Sequence, residues 1–361
     1  MSPYRLPIFP VKAFVICCVA CLAALVTAFP ASAAEPGNDT RAAADHLIRL
    51  SGITRGICCV LGGENSGIAL ELAGMEGFYV NLIDPRHAAV AGVRKEADGK
   101  GLYGRSLVAL QGSFKRLPYA DNTVDLVVSA HLAGSELEEL SPEELLRVLR
   151  PRGAAVVGSL RGGRDGLTKA HLGAWLRESG ECQCRSMEDE LGAWAVLDCP
   201  PLAGADNWSH WEHGPDNNPV SHDTAIRAPY MTQFLGLPYY IAMPAITTVA
   251  GGRIFTAMGH IAHHKREEPW LNTLIARNGY NGTELWRRML PDGYLVHRSA
   301  FIATDSTFYM ITPEGDGCLM LEPGTGAEKG RVRLAQVEGE WKWIALEDGV
   351  LFILAGKQKD P

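Results

Sequence analysis

Six consecutive residues, Gly62, Gly63, Glu64, Asn65, Ser66 and Gly67, sit between an apolar run at 57–61 and another that begins at 68. A buried strand that breaks on glycines and restarts as a helix leaves backbone N–H groups pointing into the turn, which suits a nucleotide-type ligand. Asp84 closes the next apolar run, 22 residues after Gly62, near the spacing at which a carboxylate meets a ribose in dinucleotide folds. His131 ends a later run and offers a general base, although a single polar residue at a strand end also fits a structural role. A second concentration of chemistry lies at 206–223, where His210, His213 and His222 alternate with Trp208, Trp211 and turn formers. Imidazoles ligate transition metals, but the spacing matches no known zinc or iron arrangement. The segment reads first as an ordered lead-in whose indoles pack on the next domain, so no metal ligand is assigned. His260, His263 and His264 receive the same reading.

The remaining reactive residues are nine cysteines. Cys17, Cys18 and Cys21 fall in an N-terminal segment with a basic start (Arg5, Lys12), an apolar stretch at 13–29 and a small-residue cleavage pattern ending in Ala33. That is the form of a secretory signal peptide over residues 1–34; a membrane anchor is the alternative, since about 17 apolar residues are barely enough to span. The expected location is secreted or periplasmic. Of the six mature cysteines, Cys58 and Cys59 should face opposite sides of a strand, and Cys182 and Cys184 read as same-facing strand residues, with a disulfide or a metal as alternatives. Losing Arg5 and Lys12 moves the net charge from −7 to near −9, which argues against nucleic acid as a partner. A multi-pass membrane protein is not expected either.

Positioning the first group of residues takes alternating strands and helices. Strands are predicted at 57–61, 78–84, 106–110, 124–130 and 154–159. Helices are predicted at 40–50, from 68, at 85–97 with Pro85 in the first position, at 141–149 behind a Ser141–Glu144 capping box, and at 168–179. A turn is expected at 150–153, and 182–187 with 193–197 read as a closing hairpin. Strands buried on both faces and alternating with helices predict a mostly parallel sheet covered on both sides.

The succession of the glycine loop, Asp84, Gly112 and Ser113, Leu117-Pro118-Tyr119 with Asp121 and Asp125, and Arg147-Val148-Leu149 with Pro151 and Gly153 is similar to class I S-adenosylmethionine-dependent methyltransferases. The resemblance spans about 50–200 and implies a Rossmann-like α/β domain over 35–200. It implies S-adenosylmethionine as cofactor, with its methionine part at Gly62, Gly63, Glu64, Ser66 and Gly67. Asp84 would meet the ribose hydroxyls, and Gly112 with Ser113 would lie by the adenine. Two departures stand out. Glu64 and Ser66 occupy positions where the family alternates glycines, and Ser113 replaces an acid, so it cannot accept with two oxygens. Methyl transfer is therefore expected to be lost or unproven, and no catalytic residue is assigned.

After a junction at 201–244, a repeat appears. Phe308 and Phe352 are 44 residues apart, as are Gly282 and Gly326, while Phe255 and Phe308 are 53 apart, one period plus an insertion near 263–270. Short strands at this period predict four-stranded propeller blades. Leu274 to Trp286 resembles the repeat of pyrroloquinoline-quinone (PQQ) propellers, with Trp286 as the indole that docks neighbouring blades. Together with the 206–223 segment it resembles secreted bacterial proteins that join a methyltransferase-like domain to such a propeller. The expected architecture is α/β then all-β, with an incomplete propeller of about two and a half blades over 245–361. Too few blades are present to enclose PQQ. Truncation at Pro361, completion by another chain, or self-association through open edges is the expected consequence. Three functions remain: methyl transfer, secreted binding or scaffolding of a small molecule or protein, and quinone-dependent oxidation completed by missing blades.

Overall fold

The apolar runs segregate by alternation, as strand geometry requires. Cys58 and Val60 face one side of a sheet with Val80, Leu82, Leu126 and Val128, whereas Cys59 and Leu61 face the other with Ile83, Val127 and Val157. The structure, a computed structural model, describes residues 36–162, 167–177, 183–239 and 241–357. The signal-peptide segment lies outside them, as does Cys182.

The α/β part runs α1 (Pro36–Ser51), β1 (Gly56–Leu61), α2 (Ser66–Gly74), β2 (Phe78–Asp84), α3 (His87–Gly99), β3 (Leu107–Gln111), β4 (Val124–Ser129), α4 (Gly134–Glu139), α5 (Pro142–Val148), β5 (Leu149–Leu160), α6 (Lys169–Leu176), β6 (Gln183–Glu188) and β7 (Gly192–Asp198). Its seven strands order as β3-β2-β1-β4-β5-β7-β6. The first five are parallel, and β7 runs antiparallel to both β5 and β6. Side chains of α1, α2 and α3 pack on one face, those of α4, α5 and α6 on the other. The parallel sheet and its closing hairpin are as expected.

Four local expectations change. Pro85 precedes the helix it was expected to open, since α3 starts at His87 behind Arg86. The 150–153 turn is a bulge inside β5: the pairing with β4 jumps from Val124↔Leu149 to Leu126↔Ala154, and Arg152 takes a positive φ of 65°. Ser141 caps α5 by accepting from the Glu144 N–H, but Glu144 does not reach back. Its buried carboxylate accepts from the Leu117 N–H and from Arg147 instead. Cys184 is disulfide-bonded, so the disulfide alternative holds for it; its partner lies outside the described residues. Cys58, Cys59, Cys199 and Cys318 are free.

The second part contains β8 (Met243–Ala250), β9 (Arg253–Ile261), β10 (Thr273–Asn278) and β11 (Glu284–Met289) in one antiparallel sheet. β12 (Phe301–Ala303), β13 (Phe308–Ile311), β14 (Cys318–Leu321) and β15 (Glu328–Val332) form a second, and β16 (Glu340–Glu347) with β17 (Val350–Gly356) a third of two strands. Two of the regularly spaced glycines have similar surroundings. Gly282 and Gly326, 44 residues apart, both have φ above +70° and both lie under an aromatic ring. A Cβ on Gly326 would come within 2.7 Å of the Trp286 indole, and one on Gly282 within 2.4 Å of Phe234. Trp286 also donates its Nε1–H to the Pro323 carbonyl at 2.9 Å, which locks the first sheet onto the second. Along β17, Val350, Phe352 and Leu354 are exposed. No helix of the described residues is long and apolar enough to cross a membrane.

The two parts meet at the N-terminal ends of β1, β4 and β5. Asp125 is buried at the start of β4 and accepts from the Ile57 N–H at 2.8 Å, Arg150 Nε at 2.5 Å, Asn278 Nδ2 at 2.8 Å and Asn281 Nδ2 at 2.7 Å. Gly56, at φ 114°, leaves room for that carboxylate, since a Cβ there would sit 2.2 Å from it.

Candidate functional site

The opposite, C-terminal ends of β1, β2 and β4 form the crevice where open α/β sheets take ligands. Strand β1 pairs with both β2 and β4, so the chain after Leu61 lies at the switch point. Gly62 makes the exit possible at φ 86°. Asn65 then clasps the crevice floor. It is buried, donates Nδ2 to the Leu61 carbonyl and the Ser129 hydroxyl, and accepts from the Ala130 N–H. Three satisfied bonds on one buried amide fix the ends of β1 and β4 together. Sequence reasoning missed this role, for which an Asn inside a glycine turn gives no periodic signal.

Asp84 and Glu64 are brought together, with Arg86 between them. The Asp84 side chain is fully buried. It accepts from the Gly63 N–H at 2.6 Å, the Arg86 N–H at 2.6 Å, Arg86 Nε at 3.0 Å and a terminal Arg86 nitrogen at 2.6 Å. The same guanidinium reaches Glu64 at 2.7 Å. Burial pushes the Asp84 carboxyl up, but the bonds from Arg86 and Gly63 outweigh it and hold it below its ordinary value. Glu64 is lowered, chiefly by its bond from Arg86. Arg86 is raised by both carboxylates. Gly63 must stay a glycine, because a Cβ would lie 2.7 Å from Ala89.

The other expected residues divide. Gly112 stays near, its N–H bonded to the Asp84 carbonyl. Ser113 is exposed and accepts from the Lys115 N–H. Gly67 serves packing: a Cβ would meet Thr40 of α1 at 2.7 Å. Ser66 opens α2. His131 is half-buried at the crevice; burial lowers its pKa, with nearby Glu64 opposing, so the imidazole is neutral at pH 7. Glu136, raised by burial, accepts from the Ala133 N–H. Of the junction histidines, His213 and His222 lie together with Asp206, whereas His210 is turned inward to Ser209 and Leu346.

Residues 61–157 match the sequence-family model described as "Methyltransferase domain". This stretch is a class I methyltransferase domain. A putative S-adenosyl-L-methionine-dependent methyltransferase from Methanococcus maripaludis is 18% identical over 46% of this chain and 88% of its own, with a TM-score of 0.39. A SAM-dependent methyltransferase from Aquifex aeolicus is 21% identical over 45% and 94%, at 0.37. A possible exported protein from Bordetella parapertussis is 21% identical over 45% and 68%, at 0.34. No curated protein matches the chain.

The family implies S-adenosylmethionine, and the residues of this methyltransferase domain do not fit it as they stand. A ribose diol would have to displace two charge-assisted bonds from Arg86 to Asp84. Each contributes on the order of 1.5 kcal/mol with the guanidinium half-exposed, and the diol returns weaker neutral ones. If the methionine part lay at this loop, as the resemblance implies, Glu64 would add a like charge on the side of the cofactor's carboxylate. No step is derived through the cofactor.

Proposed function

We propose that this chain is an exported scaffold or binding protein in which a methyltransferase domain with a closed cofactor crevice carries a PQQ-type propeller region, and that it does not transfer methyl groups. The Arg86 bridge between Asp84 and Glu64 carries this reading: it occupies the ribose position with a side chain of the protein itself. Four-stranded antiparallel sheets locked by Trp286 over Gly326 support propeller blades over 245–361, with 35–200 as the first domain and 201–244 as the join. The exposed apolar face of β17 supports a protein partner or self-association there. The leader-like residues 1–34 support export, tested by N-terminal sequencing of the protein from a periplasmic fraction.

A second reading, retained S-adenosylmethionine binding, is favoured by the family match itself and by the half-exposure of Arg86, which leaves it free to swing out. Calorimetry with S-adenosylhomocysteine separates the two. Under the scaffold reading the wild-type chain gives no heat at millimolar ligand, and Arg86→Ala combined with Glu64→Gly gains measurable binding. Micromolar binding by the wild type would overturn the scaffold reading in favour of the second.

A further inference from the structure

The junction segment holds donors that neither the methyltransferase domain nor the repeat explains. Ligand-type atoms of Asp206, His213 and His222 all lie within 4.8 Å of one another. His213 Nε2 is 2.7 Å from Asp206 Oδ2, and the His213 and His222 rings are 5.3 Å apart edge to face. We propose that Asp206, His213 and His222 form a binding site for a divalent first-row transition ion, two imidazoles and one carboxylate with a coordination position left open.

The donor set and its support fit that chemistry. Two nitrogens and one carboxylate oxygen are the ligand types of open zinc and non-haem iron sites. Metal–ligand bonds of about 2.1 Å place donors roughly 3.4 Å apart around a tetrahedral ion, so His213 and Asp206, now 2.7 Å apart, would part slightly as the ion replaces the proton between them, and the widest pair would close by little more than about 1 Å. The exposed His222 ring can supply that movement by rotating. Asp206 is the anchor. Its carboxylate accepts from the Asn207 N–H at 2.8 Å, the His222 N–H at 2.6 Å and the Ser221 hydroxyl at 3.0 Å. Trp208 packs edge-on against His213 at 5.2 Å, which orients that ring as outer contacts do around bound metals. His210, the third histidine of the sequence motif, is excluded because its Nε2 is committed to the Leu346 N–H. A metal here would close the loop between residues 206 and 222 at the join of the two parts. Asp206 also lines a recess of about 740 Å³ with Asp223, Tyr280 and Asp305.

The test titrates chelator-stripped full-length protein with Zn²⁺ against a chromophoric competitor at pH 7.5, and with Co²⁺ followed by visible absorption. One ion per chain is expected, with Co²⁺ giving the bands of a low-coordinate nitrogen–oxygen site. His222→Ala and Asp206→Asn should each weaken Zn²⁺ binding by at least 30-fold and remove the Co²⁺ bands, with unchanged far-ultraviolet circular dichroism for the exposed His222→Ala variant. A His263→Ala/His264→Ala double variant should bind as the wild type does. Absence of stoichiometric binding, binding that survives His222→Ala, or binding lost in the His263/His264 variant overturns the proposal.

Discussion

His210 is buried with both ring nitrogens engaged. The Leu346 backbone N–H can only donate, so His210 Nε2 accepts and Nδ1 carries the proton towards the Ser209 hydroxyl. Protonation would set N–H against N–H, and burial lowers the pKa from 6.5 to about 4. The unfolded chain therefore binds more protons between pH 6.5 and 4, and stability must fall as pH drops through that window. The loss from this group is on the order of 2 kcal/mol. Urea midpoints at pH 7 and pH 4.5 should show that drop in the wild type and a smaller one in His210→Gln, which keeps an acceptor for Leu346. Equal drops in the two would remove His210 as the cause. The same scale holds what the sequence could not reveal about the crevice. Asp84 was legible as a strand-end carboxylate, and Glu64 as a charge in a glycine loop. Arg86 gave no sign of joining them, because two residues past a strand end there is no periodicity to say that a side chain folds back. Removing it should therefore do more than unpair two acids: Arg86→Ala should raise the pKa of Glu64, measurable by carboxylate NMR, since its bond from Arg86 is the main lowering influence.

Elements were far easier to read than side-chain partners. Strands β1, β4 and β7 are buried on both faces nearly throughout, so apolar run and length alone separated them from the helices. The 44-residue spacing of Gly282 and Gly326 was legible for a different reason. Both turn glycines have a positive φ and no room for a Cβ, so glycine is required at each. Phe234 escaped notice because it occupies, from within the junction, the place over Gly282 that Trp286 occupies over Gly326, with no shared spacing to mark it. The Trp286–Gly326 contact makes a measurable prediction. Trp286→Ala removes a nearly buried indole and its bond to Pro323, and should cost about 3–5 kcal/mol of stability. Gly326→Ala puts a methyl into that indole at an unfavourable φ and should cost about 1–3 kcal/mol. In the double variant the methyl enters space the indole has left, so the two costs should fall short of additivity by about 1 kcal/mol. Full additivity in urea unfolding would mean the two groups do not touch.

At the scale of the molecule, the crevice and the interface lie at opposite ends of one sheet. The C-terminal ends of β1, β2 and β4 hold the Asp84–Arg86–Glu64 network, and their N-terminal side holds Asp125. Asp125 was singled out in the sequence only as part of a methyltransferase-like run. Its use as the staple to the second part depends on Asn278 and Asn281, more than 150 residues away, which no local pattern connects to it. Four donors converge on that carboxylate, two of them from the second part. Asn278→Ala with Asn281→Ala leaves Asp125 with only Ile57 and Arg150. The loss should be about 2–4 kcal/mol, as two hydrogen bonds to a charged acceptor are removed from a buried site. Because both bonds cross between the parts, the loss should appear as broken cooperativity and not only as a lower midpoint. Calorimetry of the wild type should give one transition and of the double variant two, the later one unchanged by Arg86→Ala if it belongs to the repeat sheets. A single transition merely shifted to lower temperature would mean that the remaining contacts, Arg152 to Asp305 among them, suffice to hold the parts as one unit. The arrangement also bears on the scaffold reading: the sheet's other end supports the second part, and that support requires the strands' order and register but not a ligand at their C-terminal ends.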